Sequence, residues 1–371
     1  MRSWATVFVA LLFFAGLPLG LATAQISSAG LSDAADAGTS SKINTSGSTL
    51  ALRVASTMNV PSEMGGAFKS GSKCDGDGNL YIRKFAMDRP LLGPIVKIDR
   101  DGKRTAVFDP AAFSQLRLDR ADAFSPAPDG GIYEIAQSGV VKPRIYVLHF
   151  GSDGSASSPT LLDADFEVYA FAAFAEGNFL VSGMRRDSLN KNDHGRNFTA
   201  VFSGDGRELA QLSFRKTSKA AGAGSGGQQK VGQKESAGTA EQPAPQLDLA
   251  DAEAGSDGNL YVMRASSPAL IYVIAPTGQI TKMLKIAGPA GVEPNGFHVS
   301  GNRLALSFWN EESQSQMMIV ADAQTGAKIA TFSDSSDLGL SFACYSADES
   351  LFTFLKLGEG NALEVIRAAP E

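Results

Sequence analysis

The chain is short of the residues that most often do chemistry. Among its 371 residues are three His, two Cys and two Trp. His149, His194 and His298 stand far apart, and no spacing among them suggests a zinc site or a nucleophile and base pair. His149 closes the apolar run "RIYVLH" and His298 sits in "GFHVS", where a hydrogen-bonded strand residue accounts for each. Positive charge is not in surplus: 33 Lys and Arg stand against 39 Asp and Glu, with no basic cluster, which argues against a nucleic-acid partner. Long apolar runs are absent after residue 24, so no later segment has the length of a membrane-spanning helix. The one Gly-rich stretch, "GAGSGG" at 222–227, neither follows a strand nor opens a helix, and so does not read as a phosphate loop.

The single apolar run, Ala5 to Leu21, follows Arg2, is interrupted by Pro18 and Gly20, and ends at Ala22-Thr23-Ala24. A short positive start, an apolar centre and a small-x-small end make a secretory signal, cleaved before Gln25. The expected product is an exported monomer, periplasmic or extracellular, without a membrane span. Residues 25–47 read as a disordered linker.

Beyond the linker the chain repeats itself. A turn of Asp, Gly and Asn followed by an alternating apolar strand occurs as "DGDGNLYIR", "PDGGIYEIA", "AEGNFLVSG", "SDGNLYVMR", "SGNRLALSF" and "ADESLFTFL", around positions 79, 131, 178, 259, 302 and 350. About 20 residues after most copies a second hairpin signal recurs, at Asp101-Gly102, Asp153-Gly154, Asp205-Gly206, Thr277-Gly278 and Thr325-Gly326. The one long interval holds a Gly, Ala, Gln, Ser and Pro mixture at about 215–247, too poor in aliphatic residues to repay its ordering entropy. It reads as a disordered insertion.

Four short antiparallel strands per unit, repeated near every 50 residues, predict an all-β fold, a six-bladed β-propeller. Packing each small sheet between two others buries both of its apolar faces. The sixth unit runs out of chain at Glu371 with three strands, and "STLALRVAST" at 48–57 supplies an alternating fourth. Closure of the ring by this N-terminal strand is therefore expected.

Cys74 lies six residues before Leu80 and Cys344 seven before Leu351, which puts both on innermost strands of the first and sixth units. Odd and even offsets point to opposite faces, as facing blades require, so a disulfide across the closure is sensible. A strand bulge would spoil that offset, and two buried free thiols are the alternative.

The "PNGFHVSGNRLAL" of 294–306 and the paired "DGNLY" copies resemble the repeats of NHL-repeat and gluconolactonase-like six-bladed propellers over roughly residues 48–371. The resemblance implies a ligand site at the channel mouth, where innermost strands begin. Counting back along the repeats reaches Asp122, Asp251 and Asn295, oxygen donors that suit a hard cation such as Ca²⁺; Asp and Asn at such positions also cap turns. A second candidate is the basic loop of Arg185, Arg186, His194 and Arg196, whose side chains could recognise a carboxylate or sulfate. The sequence thus carries two functional readings. One is a binding or scaffold module for a peptide, glycan or protein partner; the other is a metal-dependent hydrolase or lyase, lactonase-like, with its site at the channel mouth.

Overall fold

The computed structural model describes residues 49–60, 72–139, 143–162, 167–185, 195–212, 252–312, 314–333, 338, 341–358 and 362–371. The expected signal, linker and insertion, and the candidates Arg186, His194 and Asp251, lie outside the described residues.

The described chain is a succession of antiparallel meanders. Strand β1 (Leu50–Val60) comes first; β2 (Lys73–Cys74), β3 (Leu80–Arg83), β4 (Ile95–Ile98) and β5 (Arg104–Phe108) then form a four-stranded sheet in chain order. A 3-10 helix (Pro110–Leu116) follows, its first turn capped by the Asp109 carboxylate, which accepts from the Ala111 amide. The next three sheets repeat the pattern: β6 (Arg120–Pro126) to β9 (Thr160–Leu161) through β7 (Ile132–Ser138) and β8 (Arg144–Phe150); β10 (Glu167–Ala173) to β13 (Glu208–Gln211) through β11 (Phe179–Arg185) and β12 (Arg196–Phe202); and β14 (Ala252–Ala254) to β17 (Ile280–Ile286) through β15 (Leu260–Arg264) and β16 (Ala269–Ile274).

The remaining strands make one eight-stranded sheet. One half is β18 (Pro294–Ser300), β19 (Arg303–Asn310), β20 (Ser315–Asp322) and β21 (Lys328–Ser333); the other is β22 (Ser341–Ser346), β23 (Leu351–Leu357), β24 (Leu363–Pro370) and β1. Two residue pairs, Leu50 with Phe332 and Ala51 with Ser333, join the halves in parallel. By contrast β1 is antiparallel to β24 from Leu52–Pro370 to Val60–Leu363. The first strand of the described residues therefore completes the last meander, and Leu52 and Val60 are fully buried there.

This is a β-propeller arrangement, and its core lies between sheets. The alternation of each central strand sends Tyr81 and Ile95 one way, against Phe124, Ile132 and Phe150 of the following sheet. Leu80, Ile82, Val96 and Ile98 point the other way, against Leu355, Leu363 and Val365 at the end of the chain. Both faces of these strands are buried, which is why "LYIR" carries four buried residues in a row.

The repeated "DGNLY" words fix a hydrogen-bonded knot at the turn between first and second strands. In the later copy the Asp257 carboxylate accepts from the Asn259 side-chain amide at 2.8 Å and from the Tyr261 hydroxyl at 3.0 Å. In the earlier copy Asp75 does this work, accepting from Asn79 at 2.8 Å and from Tyr81 at 2.9 Å. The residue equivalent to Asp75 is Gly255, where a Cβ would come within 2.6 Å of Asp257. The two copies therefore use alternative carboxylates for one purpose. Gly78 and Gly258 carry φ of +75° and +79°, the left-handed conformation that the turn requires.

Candidate functional site

Three features of this scaffold could do more than hold it together. The first is the wall of the central channel. Innermost strands from four parts of the chain meet through polar groups: the Lys73 ammonium on β2 donates to the Ala252 carbonyl on β14 at 3.2 Å, and Glu253 accepts from the Val299 amide on β18 at 2.8 Å. The His298 ring, 5 % exposed, places Nε2 3.7 Å from the same Glu253 carboxylate, while its Nδ1 accepts from the Tyr345 amide on β22 at 3.3 Å. An Nδ1 that accepts must be unprotonated, so this imidazole is neutral with its proton on Nε2, facing Glu253. Burial depresses its basicity and nearby Lys73 adds to that, against the opposing pull of Glu253. The described groups on this wall are committed to joining strands, so the arrangement is an architectural one.

The second feature is a buried ion pair between neighbouring sheets. Arg83 at the end of β3 and Glu134 on β7 place Nη2 and Oε1 2.7 Å apart, with the side chains 5 % and 0 % exposed. Arg83 also donates through Nη1 to the Gly93 carbonyl and lies over the Phe124 ring. Sequence reasoning passed over this pair; its one signal was a charge on the second strand of each of two consecutive repeats.

The third feature is the loop of residues 84–94 between β3 and β4, at the end of the sheet opposite the Asp75 turn. The bidentate pair of Arg89 with Asp109, at 2.6 and 2.7 Å, fastens it to the 3-10 helix. The Leu91 carbonyl accepts from Ala121 of the next sheet, and the Lys84 amide donates to the Pro94 carbonyl. Hydrogen bonding and charge from Arg89 outweigh the cost of burial and hold the Asp109 carboxyl below its ordinary range. Held this way, the loop shows Phe85, Met87 and Leu91 to solvent, with Met87 90 % exposed.

The predicted residues are distributed unevenly around these features. Cys74 and Cys344 are joined by a disulfide with Cα atoms 6.1 Å apart, between β2 and β22. A bulge does fall between Phe342 and Cys344, yet the Cys344 side chain still turns toward β2. Asn295 is exposed at a bulge at the start of β18, and Asp122 lies in the irregular start of β6, between Ala121 and Phe124. Among the described residues no three His, Cys, Asp or Glu side chains gather as a metal cluster. Arg185 ends β11 opposite Arg196 of β12; its guanidinium meets Glu208 at 2.6 Å and lies over the Phe198 ring. That cation is thus satisfied within its own sheet. No described helix is long and apolar enough to cross a membrane.

No family model and no curated protein matches the chain. Among solved structures it is similar to virginiamycin B lyase from Staphylococcus aureus, at 12 % identity over 85 % of this chain and 99 % of that one, with a TM-score of 0.39. It is also similar to the Pan2 WD40 domain of Neurospora crassa, at 11 % identity over 87 % and 97 %, TM-score 0.41. A third is the β-propeller domain of the Trilobed protease from Pyrococcus furiosus, at 9 % identity over 81 % and 83 %, TM-score 0.42. At these scores the likenesses carry no argument about activity.

Proposed function

We propose that the chain is an exported, monomeric six-bladed propeller acting as a binding or scaffold module for a peptide, glycan or protein partner. Six blades follow if the eight-stranded sheet is counted as two, since only two residue pairs join its halves and an apolar cluster containing Phe332, Phe352 and Phe354 packs between them as between any other neighbours. The signal-like start at Ala5 to Ala24 supports export, and the "PNGFHVSGNRLAL" repeat supports kinship with NHL-repeat and gluconolactonase-like propellers.

The observation that carries the binding reading is the 84–94 loop. Large apolar side chains on a segment pinned by a bidentate ion pair are preorganised, and such groups make interface anchors because little conformational entropy is lost on docking. The face bearing this loop is the recognition face in this reading. A photo-cross-linking residue at Met87 should capture a partner that the same residue at Met283, exposed on outer strand β17, does not. Capture that is equal at the two positions would overturn the assignment.

A second reading, a metal-dependent hydrolase or lyase, is favoured by one fact: Asp122 and Asn295 both fall in register breaks at the start of innermost strands. In this reading Asp122 and Asn295, together with the sequence candidate Asp251, are the oxygen donors to test as ligands of Ca²⁺. Metal analysis of gently purified protein, followed by melting with and without chelator, tests it. Protein that is free of Ca²⁺ and indifferent to chelator would end that reading.

A further inference from the structure

The innermost strand of the first sheet has less ladder to hold it than its counterparts. Strand β2 is two residues long, Lys73–Cys74, where β6, β10 and β18 have seven each. Among the described residues two ladder pairs join it to β3, Lys73 with Tyr81 and Cys74 with Leu80. Two further ties run sideways to other sheets: the Cys74–Cys344 disulfide to β22, and the Lys73 ammonium to the Ala252 carbonyl on β14 at 3.2 Å. The disulfide thus supports a strand that ladder pairing supports elsewhere. The Lys73 contact ties one part of the channel wall to another, and it keeps its place only while β2 does.

The sulfur bridge borders a cleft. Cys74 is half-buried, and Cys344, itself buried, lines a cleft at the seam between β2 and β22 beside Gly76 and Gly78. At Gly76 nothing lies within 4 Å of the place a Cβ would take, so there is open space next to Cys74. Arg100, Arg367, Asp75 and Glu349 line the same cleft, two cations and two carboxylates, with Arg100 and Glu349 paired at 2.7 Å. Neither sign of charge prevails, and an anionic thiolate is not turned away. The rest of the seam does not depend on the bridge: Leu80, Ile82 and Val96 pack against Leu355, Leu363 and Val365, and β1 pairs with β24 from Leu52 to Val60. Reduction therefore removes a support of β2 and leaves closure of the ring in place.

We propose that the Cys74–Cys344 disulfide is a reducible latch on the channel wall, opened by a small dithiol that enters the seam cleft. The thiolate of the reductant attacks Cys344 Sγ, the S–S bond breaks, and Cys74 leaves as a thiolate that takes a proton from water. The second thiol of the reductant, as its thiolate, then displaces Cys344 from the mixed disulfide. The reductant departs as a disulfide, oxidised by two electrons, and both cysteines end as thiols. Strand β2, left with its short ladder, frays, and the Lys73 tie to Ala252 opens with it. A disulfide of the same class closes the latch by the reverse exchange. This inference does not depend on the partner-binding reading of the 84–94 loop.

The test treats the whole oxidised protein with dithiothreitol at about pH 8, where the dithiol is partly thiolate, and counts free cysteines by alkylation and mass spectrometry. Reduction should be first order in dithiothreitol and faster than global unfolding, whose rate comes from denaturant jumps extrapolated to water. In the reduced protein the amides of 72–79 should exchange at least about tenfold faster than in the oxidised one, while those of 50–60 and 363–370 keep their protection. The double variant Cys74→Ser/Cys344→Ser should show the same local exchange with no reductant present. Reduction at the global unfolding rate whatever the dithiothreitol concentration would overturn the proposal. So would reduced protein in which 72–79 exchanges unchanged, or in which 50–60 loses its protection as well.

Discussion

Severing the Cys74–Cys344 disulfide removes a cross-link across 270 residues of chain. In the loop-entropy picture, closing a loop of that length restricts the unfolded chain by an amount equivalent to roughly 5 kcal/mol at 25 °C, an upper value because unfolded chains keep residual structure. Native disulfides usually contribute about 2–5 kcal/mol. The compact unit spans Ser46–Glu371, and an unfolding entropy of about 2 cal/mol/K per residue gives roughly 0.7 kcal/mol per degree. The double variant Cys74→Ala/Cys344→Ala should therefore melt about 3–7 °C below the parent. Either single variant should do nearly the same, since one cysteine alone cannot close the loop. Differential scanning calorimetry with a thiol count under denaturing, non-reducing conditions measures both quantities. Two free thiols in the oxidised protein, or a double variant that melts with the parent, would refute the reasoning.

Two further outcomes follow from buried polar groups. Glu134→Ala leaves the Arg83 guanidinium charged and buried without its carboxylate and should cost about 3–5 kcal/mol in urea unfolding, whereas the paired change Arg83→Met/Glu134→Leu should cost much less. A loss below about 1 kcal/mol for Glu134→Ala would contradict the buried pair. His298 has a native basicity depressed below its ordinary value of 6.5, so above that pH it is neutral in both states and contributes no pH dependence. Below it the unfolded chain takes up a proton that the native ring refuses, and stability should fall by up to about 1.4 kcal/mol per pH unit until the native imidazole itself titrates. His298→Gln should flatten that part of the profile between pH 5 and 6.5. An unchanged slope in the variant would mean that the ring is not held neutral.

Much of the architecture was legible because the turns are written in residues that do little else. Asp, Gly and Asn mark each reversal, Gly78 and Gly258 adopt the left-handed conformation their turns need, and the alternating strands between them have no other way to bury both faces. The closing strand was legible for the same reason: β1 runs from Leu50 to Val60, beginning within the expected segment and ending three residues beyond it. Strand pairing across blades was not legible. Alternation assigns a residue to a face, but in a propeller both faces are interior, so "IYEIA" gives no sign that Glu134 is buried against Arg83 rather than solvated. The channel wall was missed by two residues: Asp251 drew attention as a carboxylate near a strand start, while Glu253 is the one that meets His298 and Val299.

Native-state hydrogen exchange on the peptide spanning 50–60 tests ring closure most directly. If β1 is the fourth strand of the final blade, the amides that it shares with β24 should exchange as slowly as those of 363–370 and open with the global unfolding free energy. Exchange of the 50–60 peptide at rates close to those of an unstructured chain, while 363–370 stays protected, would contradict closure by the N-terminal strand.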